Sequence, residues 1–455
     1  MKPMPGAIAI QFGRLARSAN SVPPLRLLAG IGAVLVALAL VTPFAFEAGG
    51  DNVFIALAIL AGLLTIAATR LAERVPAERA LWLVFGLGIL LRAYVLLFDP
   101  FLSSDIYRYV WDGIVQGAGI NPYRFVPADP ALASLRDAVI FPKINRADYA
   151  TTIYPPVAQA FFFAVTRIAG STTAMRIAMI GCETITLVVL IDLLRSLDKP
   201  VTLAAAYAWH PLPIWEVANN GHVDALMTTL VMTGTWLATR DRKIAAGIAL
   251  TLSALVKPYA LAALATCWRP WDWRLPLVVV AVAAVCYLPY LGAGRGVLGF
   301  LIGGYLHEEG FDSGYGFWAV NAARMLIGDV PGLLTVYVAL AAAILGTLAL
   351  RMVFKADHSV QRTTADIAAL LLAGLFFLSP NYPWYFLVVV PFIPLGGGAP
   401  AWAMSLGAFL LYLDYDGRLL LWKGVISGAF LIAVLARATR MPVLLHLHGI
   451  VRWAR

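Results

Sequence analysis

Two aspartates with an arginine between them, Asp105, Arg108 and Asp112, stand on "SDIYRYVWDGIVQGAG", just past a long apolar run. A carboxylate can take the proton of an attacking hydroxyl, and a cation can offset a developing negative charge. The stretch has an N-cap serine, Ser103 or Ser104, and ends at a glycine pair, so it reads as a helix of about three turns. Spacings of i, i+3, i+7 and i+11 put Asp105, Arg108, Asp112 and Gln116 on one face. Tyr107, Val110, Trp111 and Ile114 take the other, which predicts an amphipathic helix lying on or in a membrane surface. Seven residues at 1.5 Å rise make roughly 10 Å. That is too far for two carboxylates to share one metal ion, and beyond the pair spacing of about 5 Å found in retaining glycosidases. The acids therefore have separate roles, and Asp105, nearer the apolar run, is the candidate base.

Other polar groups recur at the ends of apolar runs. "GINPYRF" places Asn121 in a turn, and "TTIYPPVAQ" brings Tyr154 back towards the membrane. "WEVANNGHVDAL" gathers Glu216, Asn219, Asn220, His222 and Asp224 between two runs. Lys257, in "VKPY", lies inside an apolar run away from its ends, where an ionisable group is expensive and functional by default. Glu183, in "GCETITLVV", suits a hydrogen bond between helices, and Arg418, in "YDGR", could meet an anionic group.

The elements that must hold these residues are membrane spans. The 455 residues are 61% hydrophobic and 13% charged, against about 25% charged in a soluble protein. Apolar runs near 25–46, 52–69, 80–98, 176–194, 201–217, 222–239, 274–291, 333–350, 364–379, 384–398, 399–413 and 418–436 are candidate spans. Two further regions bring the expected total to 12–14. The net charge of +9 is scattered over the ends of these runs, so it marks topology and not nucleic acid. Short basic loops place Arg70, Arg74, Arg79, Arg240, Arg242, Lys243, Arg269, Arg351, Lys355 and Arg362 in the cytoplasm, with both termini. Lys2, Arg14 and Arg17 precede an uncleaved first span. Two large loops, 99–152 and 292–332, then lie outside. A break at Lys257-Pro258, making two half-helices, keeps Lys243 and Arg269 on one side. Segment 153–169 is expected to be re-entrant or interfacial, which leaves Arg195 and Lys199 inside. Cys182, Cys267 and Cys286 sit in apolar runs and form no metal or disulfide pattern.

No P-loop, dinucleotide fingerprint or Ser–His–Asp signature is present. "SDIYRYVWDGIVQGAGINPY" with "TIYPPVAQ", followed by "NNGHVD" and the "KP" break, resembles the GT-C glycosyltransferases. It is most similar to the bacterial polyprenyl-phosphate-mannose-dependent mannosyltransferases and their uncharacterised relatives. The resemblance covers roughly residues 80–440 and is strongest over 103–159. It implies a single GT-C-like all-α membrane domain over 1–455, with surface helices in both outer loops. It also implies a polyprenyl-monophosphate hexose donor, a glycan or lipid acceptor, membrane lipids as surroundings, and inversion at the anomeric carbon in a bacterial inner membrane. The family's catalytic Asp maps onto Asp105. Arg108, Asp112, Asn121, Tyr154, His222, Asp224, Lys257 and Arg418 are candidates for positioning or donor binding. Many members carry Asp-x-Asp where this chain has Asp105-Ile106-Tyr107. A divalent metal, Mg or Mn, is therefore left open, with Asp105, His222 or Asp224 to hold it. A lipid or sugar transporter is the alternative, and would favour paired charges near the midplane and repeated halves.

Overall fold

A computed structural model describes residues 24–302, 304–355, 357–413 and 418–439. The expectations about Lys2, Arg14, Arg17 and the C-terminal tail after 439 lie outside these residues. The chain is an all-α polytopic membrane protein, and no strand occurs among the described residues. The helices used below are α1 (Pro24–Ala72), α2 (Ala77–Val95), α3 (Asp105–Gly117), α4 (Pro156–Ile168), α5 (Thr172–Ser196), α6 (Asp224–Thr239), α7 (Lys243–Ala254), α8 (Arg274–Tyr287), α9 (Leu333–Val353), α10 (Val360–Leu378) and α11 (Leu419–Ala438).

Six helical segments among the described residues are long and apolar enough to cross a bilayer, or seven if a pair bent by 68° at 390–392 is one span. The expected 12–14 is higher because several apolar runs are not continuous helices. The 49 residues of α1 break at Gly50, whose φ of 63° lies in the left-handed region. Its two limbs match the expected runs 25–46 and 52–69. The 19 residues of α2 are long enough to span but carry Glu78, Arg79 and Arg92.

Run 201–217 is not one span. It splits into a 3-10 turn (Val201–Ala204), short helical pieces (Ala205–Ala208, Pro211–Pro213) and a π-helix (Ile214–Asn219). Pro211 and Pro213 have no N–H to donate, so carbonyls one turn earlier lose their partners. Other groups fill the gaps. Thr65 Oγ1 donates to Trp209 O at 3.0 Å, and Arg92 Nη1 donates to Ala208 O at 2.8 Å. The Leu212 N–H turns to His210 Nδ1 at 3.1 Å. Arg92 also grips Glu183 of α5 through two hydrogen bonds of 3.0 Å. Both side chains are nearly enclosed, and breaking such a pair from one side costs about 3–5 kcal/mol.

The break at Lys257-Pro258 forms as expected. Helix α7 stops at Ala254, Lys257 is extended (φ −143°, ψ 122°), and a 3-10 segment returns over Pro258–Thr266. Lys243 and Arg269 therefore line one pocket, with His358 beside them. Arg240 bonds Asp192 and Ser196 of α5, and Lys199 donates to Pro394 O at 2.6 Å. The basic loops thus share one end of the bundle. At the other end Arg146 of loop 99–152 meets Glu308 of loop 292–332 at 2.6 Å. Both loops carry short helices, among them Gly304–Glu308 and Trp318–Ile327 in the second.

The half-helix geometry makes a topological prediction. In a chain with Cys182, Cys267 and Cys286 replaced by alanine, single cysteines at Asp241 and Trp271 will react with an impermeant maleimide from the same side. Cysteines at Asp137 and Asp312 will react from the opposite side. Labelling of 241 and 271 from opposite sides would mean that 243–266 crosses the bilayer.

Candidate active site

A cleft of about 320 Å³ opens where the two large loops meet, and both Asp105 and Lys257 line it. Asp105 is the first residue of α3, next to the N-cap Ser104. Its Oδ1 accepts from Asn145 Nδ2 at 2.8 Å, and its Oδ2 accepts from the Tyr154 hydroxyl at 3.3 Å. Two donors hold the carboxylate while leaving it 17% exposed to the cleft.

The helix that carries Asp105 is not the surface helix predicted. Residues Ile106 to Gly113 are all buried, on both faces. The polar face packs on α4 instead of meeting water. Arg108 Nε donates to Asp112 Oδ1 at 2.8 Å and Arg108 Nη1 to Ala150 O at 3.1 Å. Gln159 of α4 donates to Asp112 Oδ2 at 2.8 Å and to Thr152 Oγ1 at 2.7 Å. Tyr109 stacks on Phe162 with centroids 4.6 Å apart. Gly113 permits this approach, because a Cβ there would fall 2.5 Å from Phe162 O. An intended solvated face has become an internal polar seam, satisfied group by group as burial requires.

Lys257 supplies a cation. Its Nζ lies 2.8 Å from Asp224 Oδ2 and 4.1 Å from the centre of the Tyr385 ring. Asp224 is fully buried, and Tyr259 donates to its other oxygen at 3.4 Å. The Pro after Lys257 keeps that residue extended, which turns the side chain out of the helix break and into the cleft.

Arg146 is a second cation lining the cleft, and sequence reasoning passed over it. It sits in a loop with no motif, at a left-handed φ of 56°. Its Nε bonds Glu308, and its Nη2 lies 3.8 Å from Glu309. Burial works against the guanidinium charge, but the bonded Glu308 carboxylate outweighs it and raises the proton affinity. Burial also pushes the Glu309 carboxyl up, against the donors Asn381 and Tyr382. The pair of acids at 308–309 was the available signal for such a cation.

Tyr154 lines the cleft. His222 lies behind Asp105, fully buried, with its ring stacked on Trp384 at 4.0 Å. Arg108 and Asp112 face away into the α3–α4 seam. Asn121 shapes a turn, accepting from Tyr123 N and donating to Tyr290 O at 2.9 Å. Arg418 is the N-cap residue of α11, is exposed, and is not among the residues lining the cleft.

The residues named for a metal do not fit one. Among the described residues no three His, Cys, Asp or Glu side chains converge with ligand geometry. Asp224 is already neutralised by an ammonium, and both Asp105 oxygens hold neutral donors. The arrangement offers one accessible carboxylate facing two fixed cations.

Residues 27–271, more than half of the chain, match the family described as alpha-(1->6)-mannopyranosyltransferase, N-terminal domain. No curated protein and no solved structure matches the chain.

The Lys257–Asp224 pair should show strong coupling. Lys257→Met leaves a buried carboxylate unpaired and should lower the unfolding free energy in detergent by about 3–5 kcal/mol. Adding Asp224→Asn should recover most of that loss. Additive single-mutant losses would mean that the two groups do not hold each other.

Proposed function

The chain belongs to the alpha-(1->6)-mannopyranosyltransferase family, and on that premise we propose a specific reaction for it. Mannose moves from a polyprenyl-monophosphate donor to a hydroxyl of a lipid or glycan acceptor. The site faces the outside of a bacterial inner membrane, in a GT-C-type bundle with both termini in the cytoplasm. One observation carries this reading: the Asp105 carboxylate and the Lys257 ammonium open into the same cleft, at the end of the bundle formed by the large loops.

The chemistry follows from those groups. Asp105 takes the proton of the acceptor hydroxyl as its oxygen bonds the anomeric carbon. The bond from that carbon to the phosphate oxygen breaks on the opposite face, so the configuration inverts. Polyprenyl phosphate leaves as an anion and needs no general acid. Lys257 and Arg146 offset the charge that builds on it. The Lys257 ammonium has three N–H groups, and Asp224 uses one, which leaves donors for phosphate oxygens. Asp224 and Tyr385 fix the ammonium beforehand, so little reorganisation accompanies the reaction. Arg108 and Asp112 support Asp105 by anchoring α3 on α4. Tyr382 lines the cleft with its ring backed by the parallel Trp384 ring 4.6 Å away, and offers a flat apolar surface to a pyranose.

The test is transfer of radiolabelled sugar in membranes from polyprenyl-phosphate-mannose, with polyprenyl-phosphate-glucose as a parallel donor. Asp105→Asn should lower mannose transfer by roughly 10²–10⁴-fold, and EDTA should leave it unchanged. Equal transfer by the variant would overturn the base assignment. Preferred use of the glucose donor would overturn the sugar.

A further inference from the structure

Behind Asp105 the structure holds two buried polar side chains that the reaction above does not use. His222 and Glu216 are both fully enclosed. The His222 Nε2 lies 3.4 Å from Glu216 Oε2, and its Nδ1 lies 4.0 Å from Asp105 Oδ2. Neither ring nitrogen makes a hydrogen bond, nor does Glu216 Oε2, so the two side chains face each other at near-contact distance with these polar atoms unsatisfied. The other Glu216 oxygen accepts from the Tyr412 hydroxyl at 2.6 Å. Buried polar atoms are nearly always satisfied, and those that are not mark places of strain or chemistry.

The backbone builds this line deliberately. The π-helix over Ile214–Asn219 closes with a wide turn in which His222 N donates to Glu216 O at 2.9 Å. Gly221, at φ 70°, makes the turn, and a Cβ there would fall 2.5 Å from Ile106 of α3. The imidazole is thereby folded back between its own Glu216 and Asp105, and Trp384 covers its face.

We propose that Glu216 is a positioning residue for Asp105, acting through His222 by means of a single shared proton. This rests on Asp105 being the base. A lone Glu216 carboxylate has no cation beside it and is too costly to bury. The neutral state of the pair has one proton between Glu216 Oε2 and His222 Nε2. With that proton present, the remaining N–H of the ring must be at Nδ1, whether the proton sits on the acid or on the imidazole. Nδ1–H then points at Asp105 Oδ2. A movement of about 1 Å brings the two into hydrogen-bond range. The N–H holds Asp105 as an oriented carboxylate until it receives the acceptor's proton. The other charged or titratable groups around this line are Lys257 with its partner Asp224, Arg146, Tyr154, Tyr109 and Tyr412. Lys257 repels a further charge on the ring and so keeps the shared proton towards Glu216.

The test uses full-length protein in proteoliposomes with polyprenyl-phosphate-mannose. Glu216→Met removes the proton donor while keeping the volume. It should lower kcat by about 10–100-fold, leave the donor KM within about twofold, and move the acid limb of the pH–rate profile up by roughly one unit, because Asp105 loses a donor. Glu216→Gln can donate to Nε2 and accept from Tyr412, and should restore kcat to within about threefold of wild type. An unmoved acid limb in Glu216→Met, or a Gln variant no better than Met, would overturn the proposal. Should Glu216→Met not yield monodisperse protein, His222→Phe decides: it keeps the stack on Trp384 but removes the N–H that faces Asp105, so the same upward shift of the acid limb is expected and none would overturn the proposal. Asp105→Asn in the same assay separates the two readings. If it stays active, the base assignment fails. If it is dead while Glu216→Met behaves as wild type, only the role of Glu216 fails.

Discussion

Backbone N–H and C=O groups have no water to turn to in hydrocarbon, so each interruption of a helix must be met from within the protein. This chain interrupts its helices repeatedly. At 208–213 two prolines strip carbonyls of their partners, and Thr65 and Arg92 donate to them instead, while His210 accepts the Leu212 N–H. Arg92 could not be buried as a charge by itself, so Glu183 accompanies it. At 255–258 the chain breaks again, and there the freed group is a side chain: Lys257 leaves the helix and meets Asp224. Polar residues in this apolar bundle are therefore tied to the breaks, and one break delivers a cation to the cleft.

The same constraint builds the platform for Asp105. A helix that ends at the membrane surface would leave its carboxylate mobile. Burying α3 against α4 removes that freedom, but it obliges Arg108, Asp112, Gln159 and Thr152 to satisfy one another. Asn145 and Tyr154 then complete the carboxylate from two other segments of chain. The loops close over it through Arg146, Glu308 and Glu309, so the walls of the cleft come from regions far apart in sequence.

Much of this was readable beforehand. The apolar runs and low charge declare a membrane protein, and the family match agrees with the resemblance seen over 103–159. The Lys257-Pro258 break was predictable because proline acts on its neighbours alone, whatever surrounds them. The α3 face was read correctly as a polar stripe but assigned to water. Periodicity states which residues share a face and not what covers it. Arg108 and Asp112 thus looked like site residues, whereas Gln159, forty-seven positions beyond Asp112, turns them inward. Arg146 was missed because a loop arginine has no periodicity, and its partners lie more than 160 residues away.

By itself the sequence determined local matters: which stretches are apolar enough to enter a bilayer, where proline and glycine stop a helix, and that an acid stands at the start of α3. These depend on residues within a turn of one another. Only the tertiary structure decided which of two aspartates faces a cleft, which lysine and arginine oppose it, and that His222 is held between Asp105 and Glu216. Hydrogen bonds and ion pairs act over about 3 Å, and the groups they join here are brought that close by packing, which sequence spacing does not encode.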